Sequence, residues 1–386
     1  MPSIVSFEIA GLAGRDGIVR HQMQPDVNVF WGLNGSGKTS LLKILHSALL
    51  GEASLLVRVP FDWAFVKIGV NGKIIERRIQ NPKARKNLEI EPAEGLFDEL
   101  EWRDRRAGEE LVDRAGKMHW STKPASLDGR SFRHSYLSVL RFTDSPRFRP
   151  GSSDILDDVA YDRMFARQIQ HIWQDYYTRE LMQIRQTQQN GLAAIAKSVV
   201  GKPKRASTGK STVSDVDVDT AYIAVKNFFQ DQNLELDFGS FDQFSESFTS
   251  NALMREVVGE IVEVQNGVES AQEPKRALQE LIQELFRGRK QINFEGRFLK
   301  ILNGPDEIPL ESLSSGEKQV VRLLVECLAA GSNSVLIDEP EISMHVDWQH
   351  RLVNCMRTVN PQAQLILATH SPEVMAELPD RTIIEL

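Results

Sequence analysis

The chain has 386 residues, 41% of them hydrophobic and 26% charged, with a formal net charge of −7. That length and apolar content suit one large core or two smaller ones and exclude disorder as the dominant state. The acidic balance argues against a general nucleic-acid coat, and the two cysteines, Cys327 and Cys355, have neither disulfide-framework nor zinc spacing. No apolar run reaches the ~18–20 residues that cross a bilayer, and Met1–Gly14 lacks a secretory pattern, so a cytoplasmic protein with no membrane association is expected.

In chain order, partial alternation over Ile4–Ile9 predicts an opening strand, and the β-rich run Val27–Trp31 predicts another. Helical spacing of Leu41, Leu42, Ile44, Leu45 and Leu49 predicts a helix over Ser40–Leu50. Trp63–Val70 and Lys73–Ile79 flank Asn71-Gly72, a strong signal for a two-residue hairpin turn. Arg77, Arg78, Lys83, Arg85 and Lys86 cluster near this hairpin, and Arg130, Arg133, Arg141, Arg147 and Arg149 cluster later. A solvated face accounts for both groups, and so does a surface for a phosphate backbone or a partner. Tyr136–Phe142 predicts a further strand, closed by Pro146 and Pro150.

Asp157–Val200 lacks proline and has one glycine, so it predicts a long helix of ~65 Å, with Gly191 as the candidate break. Gly201–Asp219 has the composition of a linker, and Thr220–Asn233, Phe241–Gln265 and Pro274–Gly288 predict more helices. Strand character returns at Phe298–Leu302, Ser334–Asp338, Gln364–Thr369 and Thr382–Leu386. The expected fold class is α/β. Residues 1–150 and 297–386 form two lobes that build one sheet, interrupted by a largely helical insertion, 151–296.

Gly32-Leu33-Asn34-Gly35-Ser36-Gly37-Lys38-Thr39 has phosphate-loop spacing and falls between a predicted strand and a predicted helix, with Ser40 next in line. Glycines and the small Ser36 let backbone N–H groups turn inward around phosphate oxygens, and the helix aims its positive end at the same anion. Lys38 places a compact cation on the β- and γ-phosphates of ATP, and the Thr39 hydroxyl suits Mg²⁺. Gly209-Lys210-Ser211-Thr212 copies only the end of such a loop: Lys204 stands where the first glycine belongs, and no strand precedes it.

Ser334-Val335-Leu336-Ile337-Asp338-Glu339 is an apolar strand ending in two acids, which is costly unless a cation meets them. Asp338 is the candidate Mg²⁺-side acid and Glu339 the candidate general base. The alternative is a strand leaving into the polar turn Pro340-Glu341. Leu313-Ser314-Ser315-Gly316-Glu317-Lys318-Gln319 opens a helix; taken alone it is an N-cap with a positive dipole end. Leu365-Ile366-Leu367-Ala368-Thr369-His370 is a strand ending in a histidine, which taken alone is a polar residue with a partner.

The ordered set of phosphate loop, Leu-Ser-Ser-Gly-Glu, Leu-Ile-Asp-Glu-Pro-Glu and Ala-Thr-His-Ser resembles the ABC-type ATPases, within the SMC, Rad50, RecF and OLD branch. Glu317, where transporters carry Gln, points to that branch. Asp338 to Gln349 is similar to the OLD-like ATPases of bacterial anti-phage systems. The resemblance implies an ABC-type head with a mixed sheet and a homodimer or higher homo-oligomer that sandwiches two ATPs. It implies Ser314, Ser315, Gly316 and Glu317 acting on the partner's nucleotide, His370 sensing the γ-phosphate, and Ser343–Asp347 crossing the interface. The family's mid-chain glutamine has no counterpart near Tyr136–Phe142; Gln80 is a poor substitute and the role stays unassigned.

Both cysteines lie in the carboxyl-terminal lobe, away from any hook position, so membership of the long-armed classes is disfavoured. OLD-type proteins continue into a metal-dependent nuclease module, whereas this chain runs from His370 only to Leu386. A separate effector, a nuclease or toxin, is therefore the expected partner, with nucleic acid as a possible ligand. A RecF-like repair ATPase that binds DNA is the alternative.

Overall fold

The computed structural model describes residues 2–82, 118–138, 158–200, 217–231, 240–286 and 290–386. Lys83, Arg85, Lys86, Arg141, Arg147, Arg149, most of the expected linker with its loop-like Gly209–Thr212, and the end of the Tyr136–Phe142 strand lie outside them. The first elements are β1 (Ser3–Ala10), β2 (Ile18–Gln22), β3 (Val27–Trp31), α1 (Lys38–Leu50), β4 (Trp63–Val70), β5 (Lys73–Gln80), β6 (Ser121–Lys123) and β7 (Ser135–Leu137). The helical middle comprises α2 (Asp158–Val200), α3 (Val218–Asp231), α4 (Phe241–Ser250) and α5 (Ala252–Leu285). Then follow β8 (Gln291–Glu295), β9 (Phe298–Asn303), β10 (Asp306–Ile308), α6 (Ser315–Ala330), β11 (Ser334–Asp338), α7 (Val346–Val359), β12 (Gln364–Thr369), α8 (Pro372–Met375) and β13 (Ile383–Glu385).

The chain divides into two compact units, one of Met1–Ile172, Leu281–Asn293 and Lys300–Leu386, the other of Trp173–Glu280 and Phe294–Leu299. In the first, the two flanks of the sequence share a parallel sheet, β13-β3-β12-β11-β7. The antiparallel strands stand apart in a second sheet, β2-β1-β4-β5-β6, and β10-β9-β8 form a third. The expected single sheet is thus split. Hairpin strands pair with sequence neighbours, whereas parallel strands need crossover connections that place helices against their faces.

Helix α1 fills the space between the first two sheets. Leu41, Leu42, Ile44, Leu45 and Leu49 share one core with Phe7, Ile9, Val66 and Ile68 of the antiparallel sheet and with Phe30, Leu336 and Ile366 of the parallel one. Being apolar on most sides, the helix has both sheets to bury it. The Asn71-Gly72 turn takes φ of 50° and 76°, the two-residue geometry its sequence favours, and sets the register from Val70 opposite Lys73 to Trp63 opposite Gln80. Strand β2 was not anticipated; it is an edge strand, half exposed, so it lacks a clean apolar alternation.

Arg77 corrects the reading of the hairpin as a basic surface, because it is fully buried. Its guanidinium donates to the Ala48 and Arg130 carbonyls and stacks 4.9 Å from the centroid of the Phe132 ring. It therefore closes the carboxyl end of α1, where free carbonyls and the helix dipole attract a cation. Burial lowers its pKa to about 10.

The second unit has its own core, with Ala221, Val225 and Phe228 of α3, Phe244 and Phe248 of α4, and Val258, Ile261 and Val264 of α5. Helix α2 does not break at Gly191. A Cβ there would lie 1.9 Å from Val264 Cγ2, and one on Gly267 would lie 2.8 Å from Thr187 Cγ2. Each glycine opens its helix to a side chain of the other, so Gly191 serves close packing rather than a bend. Helix α5 also runs through Pro274, where a helix start was expected. The break falls instead at Asn251, whose side chain accepts the Leu253 and Met254 N–H groups at 2.9 and 3.3 Å. The buried stripe Ala271, Ala277, Leu278 and Ile282 continues across the proline, and that burial outweighs the one hydrogen bond a proline removes.

At an open helical site Gly→Leu stabilises by roughly 0.8 kcal/mol. Gly191→Leu should instead cost about 1–3 kcal/mol by overpacking, with Val264→Ala restoring part of the loss in the double variant. Urea unfolding followed by circular dichroism checks the sign; a stabilised Gly191→Leu protein rules out the close contact.

Candidate nucleotide site

Strands β3, β12 and β11 lie side by side, with Thr369 opposite Trp31 and Asp338 opposite Ala368. Their carboxyl ends therefore meet at one sheet edge, where open α/β sheets hold ligands. Strand β3 delivers the glycine loop, β11 the acid pair and β12 the histidine. In the loop, Gly35 and Gly37 take φ of 83° and 101°, which a side chain resists. Gly37 also has to be small, since a Cβ would stand 3.1 Å from Leu12 Cγ and Ala13 Cβ. Gly37 immediately precedes the first turn of α1, so the loop opens onto a helix N-terminus. Asn34 is exposed, Ser36 is buried, and Thr39 and Ser40 occupy the first turn of α1.

The Lys38 ammonium is folded back onto its own loop. It donates to the Gly32 and Leu33 carbonyls at 2.8 and 3.2 Å and reaches His370 Nδ1 at 3.2 Å. An ammonium has only protons to offer, so Nδ1 is the acceptor and the ring proton sits on Nε2. That nitrogen lies 3.2 Å from Glu339 Oε1. His370 thus bridges the loop lysine and the candidate base. Burial lowers the Lys38 pKa, and the charges of Glu339, Asp338 and Glu341 oppose the shift.

Asp338 is 3% exposed, and among the described residues no hydrogen bond of regular geometry reaches its carboxylate oxygens, although the Thr39 hydroxyl stands close enough to act on them. Burial pushes its pKa up to about 6 from an ordinary 3.8, although the Thr39 hydroxyl and the charges of Lys43 and Lys38 hold the rise down. A buried carboxylate with orphaned oxygens beside a hydroxyl is the hard-oxygen donor set that Mg²⁺ takes, so the residues present fit that ion. Glu339 has the left-handed φ of 48°, and its N–H donates to Ala368 O at 2.7 Å. A non-glycine residue in that region marks backbone held by its surroundings.

Ser314 and Glu317 form a reciprocal capping box on α6, with the Ser314 N–H donating to Glu317 Oε2 at 2.7 Å. Lys290 donates to both Glu317 oxygens at 3.0 and 2.8 Å. Burial raises the Glu317 pKa, but the Lys290 and Ser314 bonds bring it below its ordinary value. Ser314 and Ser315 are exposed, and a Cβ on Gly316 would stand 2.7 Å from Ser343 O. The cap and the Ser343–Asp347 stretch therefore abut within one chain. Gln319 Nε2 adds a 3.4 Å bond to Pro340 O, beside the acid pair.

The structure thus brings Lys38, Thr39, Asp338, Glu339 and His370 together, and places Ser314 to Glu317 against Ser343 and Lys290. Gln80 stands exposed at the end of β5, in the antiparallel sheet. Lys290 and Glu341 were missed, the first for want of any motif around it, the second because Pro340-Glu341 read as a polar exit turn. Among the described residues no helix is long and apolar enough to cross a membrane.

A glycine loop capping a helix, with a strand-end acid pair and a histidine on neighbouring parallel strands, defines an α/β protein of the P-loop ATPase class. The family described as "AAA domain, putative AbiEii toxin, Type IV TA system" matches residues 139–376, well over half of the chain, and the chain belongs to it. The matched range holds the cap, the acid pair and the histidine. The chain is also 30% identical over 98 residues to "Retron Vc95 probable ATPase" of Vibrio cholerae serotype O1 biovar El Tor, a match that takes in 22% of this chain and 19% of that protein. Among solved structures it is similar to an Smc head domain with an extended coiled coil, bound to the C-terminal domain of ScpA, from Pyrococcus furiosus. That match has a TM-score of 0.44 at 14% identity and covers 100% of this chain and 93% of that one. The SMC head domain from Thermotoga maritima matches with a TM-score of 0.42 at 12% identity, over 97% of this chain and 91% of that one.

Asp338 makes the nucleotide-free site sensitive to pH. Its folded pKa lies above the unfolded one, so its ionised form destabilises the fold fully above about pH 6 and not at all below about 3.8. Asp338→Asn should therefore raise apo stability by roughly 2–3 kcal/mol at pH 7.5 and lose that advantage as pH falls from 6 to 4. Thermal melts across this range check it; a gain that grows on acidification contradicts the sign.

Proposed function

We propose that the chain is an ATP-binding and ATP-hydrolysing subunit that closes as a nucleotide-sandwich dimer. Closure gates a separately encoded effector, a nuclease or toxin, in bacterial anti-phage defence. The observation that carries this reading is the Lys38–His370–Glu339 line at the phosphate loop, beside the orphaned Asp338. The exposed Ser314 and Ser315 support a second site half that meets a partner's nucleotide. The family description names a toxin of a toxin–antitoxin system, and the relative of Vibrio cholerae is named for a retron; both support the defence setting.

In this reading 1–150 and 297–386 act as the head and 151–296 is the insertion. Lys38 leaves the Gly32 and Leu33 carbonyls for the β- and γ-phosphates, an exchange that keeps its charge partnered throughout. Thr39 and Asp338 would hold Mg²⁺, which when bound would neutralise phosphate charge. Freed from Lys38, His370 turns its Nδ1 to the γ-phosphate side and orients the attacking water, while Glu339 takes the water's proton. The partner's Ser314–Glu317 cap then presents its helix N-terminus to the same phosphate. Two copies are needed to complete each site, so hydrolysis reports assembly.

Two variants test the chemistry. Glu339→Gln should bind ATP as the wild type does, lose at least about 100-fold in turnover, and accumulate as an ATP-bound dimer in size-exclusion chromatography with light scattering. Undiminished hydrolysis removes Glu339 as the base. Ser315→Arg should keep ATP affinity and abolish turnover, because the bulk blocks the partner's nucleotide; normal hydrolysis in this variant ends the sandwich model.

A further inference from the structure

We propose that Glu341 is a positioning residue for His370: its carboxylate holds the turn that carries the histidine and links it to the loop after the acid pair. The proposal rests on the ATPase reading above and assigns a residue to the same site. Oε1 of Glu341 accepts the Thr369 hydroxyl at 2.6 Å and the backbone N–H groups of His370 and Ser371 at 3.0 and 3.2 Å. One oxygen thus organises three consecutive residues at the end of β12. The parallel ladder gives out there: Glu339 N–H to Ala368 O is its last rung from β11, and the chain then bends through the left-handed Glu339. Glu341 takes over where backbone pairing stops.

Geometry makes this a second-step constraint on the ring. His370 has to accept from Lys38 on one nitrogen and donate to Glu339 on the other, 3.2 Å on each side. Such a bridge is sensitive to small displacements of its backbone. Bonds to an ionised acceptor are roughly twice as strong as neutral ones, and a carboxylate has no proton of its own to compete with the three donors.

A second strut runs in parallel. Gln349 donates through Nε2 to Met344 O at 3.1 Å, and its Oε1 shares the Ser371 hydroxyl, at 2.8 Å, with Glu373 Oε2 at 2.7 Å. Met344 N–H in turn donates to Glu341 O at 2.9 Å. The segment from Glu341 to Gln349 and the turn Thr369–Ser371 are therefore tied as one piece. Gly316 lies against Ser343, so this tied piece also touches the capped end of α6.

The test uses the full chain with Glu341→Ala, Glu341→Gln, His370→Ala and the Glu341→Ala/His370→Ala double variant. Glu341→Ala should lower kcat for ATP on the order of 10–100-fold, the cost of a slightly misplaced catalytic group, with the KM for ATP within about threefold of wild type. Glu341→Gln, whose amide oxygen can still accept, should recover most of the loss. In the His370→Ala background, removing Glu341 should cost little more, since its effect passes through the histidine. Losses that multiply in the double variant, or a Glu341→Gln as impaired as Glu341→Ala, overturn the proposal. A readout without nucleotide separates this from failure of the ATPase reading: in ¹⁵N spectra of the apo protein the His370 and Ser371 amide protons should shift upfield in Glu341→Ala. Unchanged amide shifts overturn the clamp, whereas a wild-type protein without ATP turnover overturns only the ATPase reading.

Discussion

The register of three parallel strands governs this molecule. Because β3, β12 and β11 are neighbours and end together, a loop from near the start of the chain shares one sheet edge with an acid pair and a histidine from near its end. The strands are buried and mostly apolar along their lengths, and their charged group, Asp338, appears where the ladder runs out. There the site faces a conflict that burial creates: Lys38 and Asp338 both lose water, and their preferred charges have to be supported by other groups. Lys38 is supported by loop carbonyls and by His370. Asp338 is supported less well: the Thr39 hydroxyl and the Lys43 and Lys38 charges act on it, yet its pKa stays raised, and this asymmetry is what makes a cation there favourable.

Helix α1 extends the same constraint inward. Its first residue is the site lysine, and its far end is closed by the buried Arg77 from the antiparallel sheet. The second sheet thereby holds the far end of the helix that follows the glycine loop. A basic residue that reads as surface charge is, in three dimensions, a structural cap. The cap on α6 works similarly, with Lys290 holding Glu317 and with Gly316 lying under Ser343. Elements that the resemblance assigns to the partner's nucleotide thus lie against this chain's own acid-pair loop.

The helical unit shows the opposite economy. Its contact between α2 and α5 depends on glycines that would ordinarily weaken a helix, placed where the other helix brings Val264 or Thr187 against them. The loss of helix propensity is small, about 1 kcal/mol per glycine, beside what close packing of a whole helix face returns.

The amino-acid order alone was enough for the phosphate loop, the acid pair, the histidine strand and the hairpin. Each is a local pattern whose spacing or turn chemistry is decided by neighbours in the chain: Asn71-Gly72 turns because of its own backbone preferences, and Gly32 to Thr39 takes left-handed backbone because glycines sit at set intervals. The meaning of Gly191, Pro274, Arg77 and Glu341 came only from the tertiary structure. At each of these positions the deciding partner is distant in sequence: Val264 for Gly191, a continuing core stripe for Pro274, the end of α1 for Arg77, and the tip of β12 for Glu341. Local propensity is a matter of tenths to about one kcal/mol per residue, whereas burial against a distant element contributes several times that. Where the two disagreed, the distant contact prevailed.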